Sequence, residues 1–396
     1  MERIFIVGAK RTPIGKFGGG LASVSASDLG ATAIRAVVEQ ANIDPKQVDQ
    51  VLMGNVIQAG QGQNPARQAT LKAGLPVSVP AITINDVCGS GLSSINMAAS
   101  LIQTGQAQVI VAGGMESMSK APFVLEKNRF NKDDHTVIEK DAMQTDALID
   151  AAGQFSMGIT AENVAEKYDI TRSAMDHFAK ESHEKAVRAQ QQGLFDSEIV
   201  PVMTTDSAGQ SKMIMIDEGP RANSTFEKLS TLKAAFKEDG MVTAGNASGL
   251  NDGAAAVLLM NESKMLELGL TPLAEWQGAA TVGLEPALMG IGPYYAIEEL
   301  MTRDSELTLD DIDLFELNEA FAAQALASNQ LLGINSEQVN INGGALALGH
   351  PVGASGSRIL VTLIYNLIRE KAKTGVAALC VGGGMGVAAL IQAHQE

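Results

Sequence analysis

Two cysteines, Cys88 and Cys380, stand in a chain of 396 residues, and both lead into glycines. Cys88 opens the run Cys88-Gly89-Ser90-Gly91, after an apolar strand-like stretch and before an amphipathic helical one. A thiol at that junction faces a helix N-terminus, whose partial positive charge favours thiolate and lowers the thiol pKa. The same turn offers free backbone N–H groups to an oxyanion. This is the setting of a nucleophile; a small buried hydrophobe is the competing reading of any free cysteine. Cys380 closes a second strand-like run and precedes Gly382-Gly383-Gly384-Met385-Gly386. A thiol there could shuttle protons or could simply fill a strand.

A nucleophilic thiol needs a base, and histidine is the usual one. Of five histidines, His177 and His183 lie among Asp176, Lys180, Glu181 and Glu184 and read as solvated. His135 falls in a charged stretch and His394 in the tail. His350 sits in Gly343-Gly344-Ala345-Leu346-Ala347-Leu348-Gly349-His350-Pro351-Val352-Gly353, where small residues surround it and Pro351 fixes the backbone after it. It reads either as a hydrogen-bonded histidine of a Gly-rich turn or, by elimination, as the partner of Cys88. Asn318-Glu319-Ala320-Phe321 follows a short strand; Asn318 could hold a water or a carbonyl, cap the next helix, or both. The run Gly60-Gln61-Gly62-Gln63-Asn64-Pro65-Ala66 is only a degenerate dinucleotide pattern. Pro65 stands where its helix should start and no acidic partner follows. No Ser elbow and no Walker sequence is present.

The elements that must carry these residues alternate. Strand signals run over 51–56, 81–84, 109–112, 254–260, 314–317 and 376–381, and 4–8 also reads as a short apolar strand ending in glycine. Helical signals run over 92–103, 160–167, 173–192 and 357–373. Such alternation indicates an α/β protein. The chain also repeats itself. Residues 44–51 and 309–315 each lead into a strand, Cys88–Ser93 and Val352–Ser357 are Gly-rich turns feeding helices, and 109–115 and 378–385 are strands running into glycines and a Met. Three matches in one order suggest a duplicated unit. Residues 120–245 have no counterpart and read as an inserted, helix-bearing region.

Composition narrows the partners. The formal net charge of −16 argues against nucleic acid or an anionic membrane, both of which need a basic face. No apolar run has the length of a membrane span, and no secretory or C-terminal address is apparent, so the cytoplasm is the expected compartment. Both cysteines are then free thiols. No metal-ligand cluster is visible.

Together, Asn85-Asp86-Val87-Cys88-Gly89-Ser90-Gly91, Asn318-Glu319-Ala320-Phe321, Gly349-His350-Pro351 and Cys380-Val381-Gly382-Gly383-Gly384 resemble the four motifs of the thiolase family, in its order and over nearly the whole chain. The resemblance implies a five-layered α/β/α/β/α fold from two duplicated halves: residues 1–119 with 246–271, and 272–396. Residues 120–245 would be the inserted loop domain, serving coenzyme A binding and oligomerisation. It implies reversible Claisen condensation of two acetyl-CoA to acetoacetyl-CoA and CoA. Cys88 would carry the acyl group, activated by His350, and Cys380 would move the α-proton. His350 with an Asn318-held water would form one oxyanion site, and the N–H groups of Cys88 and Gly382 the other. Glu319 would support them.

Ser156-Met157-Gly158 and Ala287-Leu288-Met289-Gly290 are similar to the short-chain biosynthetic branch, with Met157 and Met289 closing the acyl pocket. That branch commonly carries His where Ser156 stands, which implies a larger or wetter pocket here. Ala247 and Ser248 match the pantetheine segment; Leu148, Ala320 and Phe321 join the substrate contacts. The resemblance implies that Arg221 would lie near the adenine or the phosphates; Lys228 and Lys233 read either as added positive charge or as a solvated helix face. The resemblance implies no cofactor beyond CoA itself, and a homotetramer. Rival readings are a degradative 3-ketoacyl-CoA thiolase of broader chain length, a decarboxylating condensing enzyme, disfavoured by Cys380, and an inactive CoA- or lipid-binding scaffold.

Overall fold

The computed structural model describes residues 2–127, 129–130, 136–205, 209–303 and 307–394; His135, Asn128, Gln395 and Glu396 lie outside the described residues. The first half runs β1 (Ile4–Arg11), β2 (Gly15–Lys16), α1 (Ala26–Ala41), β3 (Gln50–Gly54), α2 (Pro65–Lys72), β4 (Ala81–Ile84), α3 (Ser90–Gln103) and β5 (Val109–Ser117). Ser25 caps α1 by accepting from the Asp28 amide. Asn64 caps α2 in the same way, with Pro65 in its first turn. Proline is at home there, because the N–H it lacks has no intrahelical partner anyway. The expectation that Pro65 opposes a helix start is therefore corrected.

An exposed hairpin of β6 (Phe123–Lys127) and β7 (Val137–Asp141) opens the insertion. It continues with α4 (Met157–Lys167), α5 (Arg172–Gln191), a hairpin of β8 (Val202–Thr205) and β9 (Ser211–Ile214), and α6 (Phe226–Ser230). Buried Arg11 of β1 ties this region to the core through Glu198 at 2.6 Å and Asp217 at 2.7 Å. The chain then returns through β10 (Asn251–Asn261) and α7 (Glu262–Glu267). The second half is β11 (Ala274–Gly283), α8 (Gly292–Thr302), β12 (Leu314–Leu317), α9 (Ala322–Leu332), α10 (Ala345–Leu348), α11 (Ser355–Glu370), β13 (Thr374–Val381) and β14 (Met385–Ala393).

The main sheet has the order β12-β13-β14-β11-β1-β10-β5-β3-β4. Its centre is a short antiparallel pairing of Ile4–Ile6 with Ala274–Trp276. Read outward from there, β1, β10, β5, β3 in one direction and β11, β14, β13, β12 in the other are the same sequence of parts. The duplication read from the repeats is thus present in the topology.

Strand alternation builds the layers. Ile4 and Ile6 of β1 join a core with Leu92 and Ile95 of α3 and Ile359 and Leu363 of α11. Phe5 and Val7 face the other way, toward Leu29 and Ile34 of α1. In the second half Ala377 and Leu379 face the central helices, whereas Val376 and Ala378 face Ile297 and Leu300 of α8. Two helices lie between two half-sheets, and helices cover each outer face, giving five layers. Because α3 and α11 are buried between sheets, their N-termini meet at the centre of the molecule, and the residues that precede them meet there too.

Candidate active site

Cys88 follows a strained turn. Val87 has φ 44°, a left-handed conformation that a β-branched residue rarely adopts. The turn is held from several sides: Ser90 Oγ donates to Val87 O at 2.6 Å, the Asp86 amide donates to Ser90 Oγ at 2.8 Å, and Ser93 Oγ donates to Asp86 at 2.6 Å. Gly89 is required here, since a Cβ would lie 2.7 Å from Asp86 Oδ2 and 2.9 Å from Val381. The strain therefore fixes the sulfur at the start of α3. Burial pushes the Cys88 thiol up to about 11; the N–H groups of Gly382 and of Cys88 itself pull it down, and Asp86 and Glu116 add to the rise. The expected lowering by the helix end is thus overturned. Desolvation outweighs it, and Cys88 rests as a thiol that needs a base.

Cys380, at the end of β13, is fully buried. Burial and the neighbouring Cys88 both raise its pKa. It packs with Met157, Met289 and Ala320, with Phe321 against them. The chain then turns through Gly382 to Gly384. A Cβ on Gly382 would sit 3.2 Å from Val87 and 3.5 Å from the Met157 sulfur, so this amide reaches the Cys88 loop at close range.

His350 is buried, its amide held by Asn251 Oδ1 at 2.9 Å. Its Nδ1 lies 2.5 Å from Ser355 Oγ, which also lies 3.0 Å from Pro351 O. With Ser355 donating to Pro351 O, Nδ1 carries the ring proton and Nε2 is an acceptor; with Ser355 donating to the ring, the tautomer reverses. Burial and Arg358 lower the imidazole to about 4, so it is neutral near pH 7. Asn318 reaches within 3.4 Å of the same ring. Among the described residues His350 Nε2 and Asn318 Oδ1 have no hydrogen-bond partner though both are buried, so both are open to a ligand or a water.

Met157 begins α4 after Ser156, and Ser156 pairs with Ile149, which brings the neighbouring Leu148 toward this region. Ala247 pairs with Phe321 and the Ser248 amide donates to Ala320 O at 2.9 Å, so the expected pantetheine segment lies alongside the Asn318 segment. Arg221, Lys228 and Lys233 are exposed.

The thiolase N-terminal domain family matches residues 4–263, and the thiolase C-terminal domain family matches residues 270–393. The chain belongs to the thiolase family. It is 52% identical over 394 residues to an acetyl-CoA acetyltransferase of Cupriavidus necator, covering 99% of this chain and 100% of that one. It is 51% identical to a probable acetyl-CoA acyltransferase of Staphylococcus aureus, over 100% of both. Among solved structures, the Bacillus anthracis acetyl-CoA acetyltransferase is similar at TM-score 0.96 and 44% identity, covering 100% of this chain and 99% of that chain. Human mitochondrial 3-ketoacyl-CoA thiolase in complex with CoA is similar at TM-score 0.94 and 40% identity, covering 100% and 98%.

This thiolase contains supporting residues, some of which the sequence reading placed differently or passed over. Glu319, expected as a supporting residue, accepts on its carboxylate from Ser182 at 2.6 Å, Asn340 at 2.8 Å and the Leu346 amide at 3.2 Å, tying α5 to the segment before His350. Phe236 was passed over; it meets Phe321 edge to face at 6.1 Å and lies against Gly158. His183 is buried, not solvated. Its Nδ1 accepts from the Arg221 amide at 3.3 Å, and burial, with Arg221 and Lys16, lowers it to about 4.

His183 and His350 both bind protons more weakly folded than unfolded, where His titrates near 6.5. Their stabilisation is present above about pH 6.5 and is lost as pH falls through about 4. Glu116 has the opposite sign. Burial raises it to about 7, against N–H bonds from Val56, Gly353 and Ile57 that pull it down. Its contribution is present below about pH 4.5 and is lost as pH rises through 7. His183→Gln, which retains an acceptor for Arg221, should flatten the acid side alone. The wild-type advantage in unfolding free energy should shrink by up to about 3 kcal/mol between pH 7 and 4. A gap between the two proteins that stays constant in urea titrations at those pH values would refute this.

Proposed function

We propose that this thiolase is an acetyl-CoA C-acetyltransferase, catalysing reversible condensation of two acetyl-CoA to acetoacetyl-CoA and CoA through an acetyl-Cys88 thioester. The reading rests on one juxtaposition: two buried thiols flank the Gly382 amide, and the start of α3, which carries Cys88, meets the start of α11, which follows the His350 turn. In the first half-reaction His350 Nε2 takes the Cys88 proton, the sulfur attacks the acetyl-CoA carbonyl, and CoA leaves with that proton. In the second, Cys380 passes its proton to His350 Nε2, and the resulting thiolate removes a methyl proton from another acetyl-CoA. The enolate oxygen accepts from that Nε2–H and from an Asn318-held water. The carbanion attacks acetyl-Cys88, whose oxygen accepts from the Cys88 and Gly382 amides, and the departing Cys88 thiolate takes the proton from His350. Fixed donors are what a poor carbon acid requires, since they need no reorganisation as charge develops. Glu319 supports the His350 segment without touching substrate.

Met157 and Met289 close the acyl pocket around a short chain. Ser156, Leu148, Ala247, Ser248, Ala320 and Phe321 line the substrate path, and Arg221 faces the nucleotide end of CoA. We further assign residues 120–245 to an inserted CoA-binding and oligomerising domain between the halves 1–119 with 246–271 and 272–396. A homotetramer in the cytoplasm, with CoA as substrate and product and no resident cofactor, completes the reading.

CoA-dependent cleavage of acetoacetyl-CoA beside 3-ketooctanoyl-CoA tests it. The short substrate should be strongly preferred, and Met289→Ala should raise the long-to-short ratio about tenfold or more, since a few methylenes of pocket space are worth 1–3 kcal/mol. Comparable wild-type cleavage of both would assign a degradative 3-ketoacyl-CoA thiolase instead. Cleavage of neither, with no acetyl label on Cys88, would leave the scaffold reading.

A further inference from the structure

Asn318, Cys380 and Cys88 each have a counterpart across the pseudo-two-fold axis of the duplicated sheet. Gly54, the end of β3, pairs with Gly114 of β5, and Leu317, the end of β12, pairs with Ala378 of β13. One residue further, Asn55 corresponds to Asn318; two residues past the partner strands' positions, Glu116 corresponds to Cys380. The adjoining strands agree, because Glu116 faces Gly253 on β10 and Cys380 faces Gly386 on β14. The helix starts fix the third member. A Cβ on Gly91 would lie 2.8 Å from the Ser357 amide nitrogen, and one on Gly356 would lie 2.5 Å from that of Leu92. The contact is reciprocal, so Gly91 corresponds to Gly356 and, three residues back, Cys88 corresponds to Gly353.

This second centre has no thiol and is closed by its own side chain. Glu116 is fully buried. Its Oε2 accepts from the Val56 and Gly353 amides at 3.0 Å each, and its Oε1 from Asn55 Nδ2 at 2.8 Å and the Ile57 amide at 3.3 Å. The Gly353 amide is the counterpart of the Cys88 amide. Glu116 thus holds a carboxylate oxygen where the first centre would hold the acyl oxygen. Gly353 lies three residues after His350 and two before Ser355, which orients the imidazole. Its carbonyl presses on Gly54, Gly91 and Gly114, and a Cβ on Gly353 would come 2.7 Å from Glu116.

We propose that Glu116 is a positioning residue for acyl transfer: from the pseudo-symmetric centre, it anchors the His350–Ser355 loop to the first half and so sets the imidazole against Cys88. The proposal rests on the acyl-transfer reading above. Four donors on one carboxylate leave no room for an amide, whose NH2 must oppose an N–H on one side or the other.

Glu116→Gln is the test, with wild-type protein beside it and thermal unfolding confirming a folded variant. kcat for acetoacetyl-CoA cleavage should fall about 10- to 100-fold, the scale of a small misplacement, while KM stays within about twofold. Alkylation of Cys88 by iodoacetamide, followed by peptide mapping, should slow in parallel. Glu116→Asp, which keeps the charge but shortens the reach, is used if the glutamine variant does not fold. A folded variant with wild-type kcat and alkylation rate overturns the proposal, as does a loss of kcat no greater than the unfolded fraction. If wild type itself fails to cleave acetoacetyl-CoA, the acyl-transfer reading falls. The alkylation comparison still decides whether Glu116 sets the reactivity of Cys88.

Discussion

Replacing Cys88 with alanine is expected to lower acetoacetyl-CoA cleavage by about 10^4-fold or more, the scale seen when a covalent nucleophile is removed from an intact site. Fold should survive. The residue packs in a core of apolar neighbours, and alanine removes one sulfur without stranding a polar group. The turn is held by Ser90, Ser93 and Asp86, not by the thiol. Substrate binding should survive as well, because the segment of Ala247, Ser248 and Phe321 proposed to line the substrate path is untouched. The decisive measurement is single-turnover acetyl transfer with mass analysis of the peptide bearing residue 88. Wild type should accumulate an acetyl adduct in the absence of free CoA and release it when CoA is added; Cys88→Ala should form none. Cleavage persisting within tenfold of wild type would exclude the covalent route. Cys88→Ser is a stricter control. A serine hydroxyl is a far weaker acid than a thiol, and His350 is a weak base because Arg358 and burial depress it. The serine variant is therefore expected to behave like alanine.

What could be read before the structure was local. The Cys88 turn is contiguous, and its strand, glycines and helix all lie within 81–103. His350 emerged by elimination among five histidines, and the repeats foretold the topology because they lie at the strand ends that pair. What could not be read depends on distant packing. The helix-end argument for a low Cys88 pKa omitted the second half-sheet and its burial, which reverses the sign. His183 shares α5 with charged neighbours, but the face of Met175, Ala179, Ser182 and Ala186 that it joins is buried, a division composition alone does not disclose. Helix α1 was passed over although Leu29, Ile34, Val37 and Val38 give it a clear apolar face at helical spacing, the signal that could have found it. Glu116 follows a strand that reads as ending at Met115; only the register of β5 against β3 makes it the counterpart of Cys380.

Cys380→Ser should separate the two half-reactions. On the proposed route acetylation of Cys88 uses His350 and the Cys88 and Gly382 amides, none of which the substitution removes. Exchange of acetyl-CoA with labelled CoA should therefore remain within about tenfold of wild type. Condensation needs a base at the methyl carbon, and its loss should cost about 10^2- to 10^4-fold. Exchange of the acetyl methyl protons with deuterated water should fall by the same factor. Burial, the larger cause, and Cys88 both hold the Cys380 proton in place. Alanine at 88 removes the Cys88 contribution and leaves Cys380 and the donors to the enolate intact, so methyl-proton exchange should persist in Cys88→Ala although condensation is lost. Loss of methyl exchange in Cys88→Ala would make the loaded thiol part of the proton transfer, and equal loss of both half-reactions in Cys380→Ser would place Cys380 in the acylation step as well.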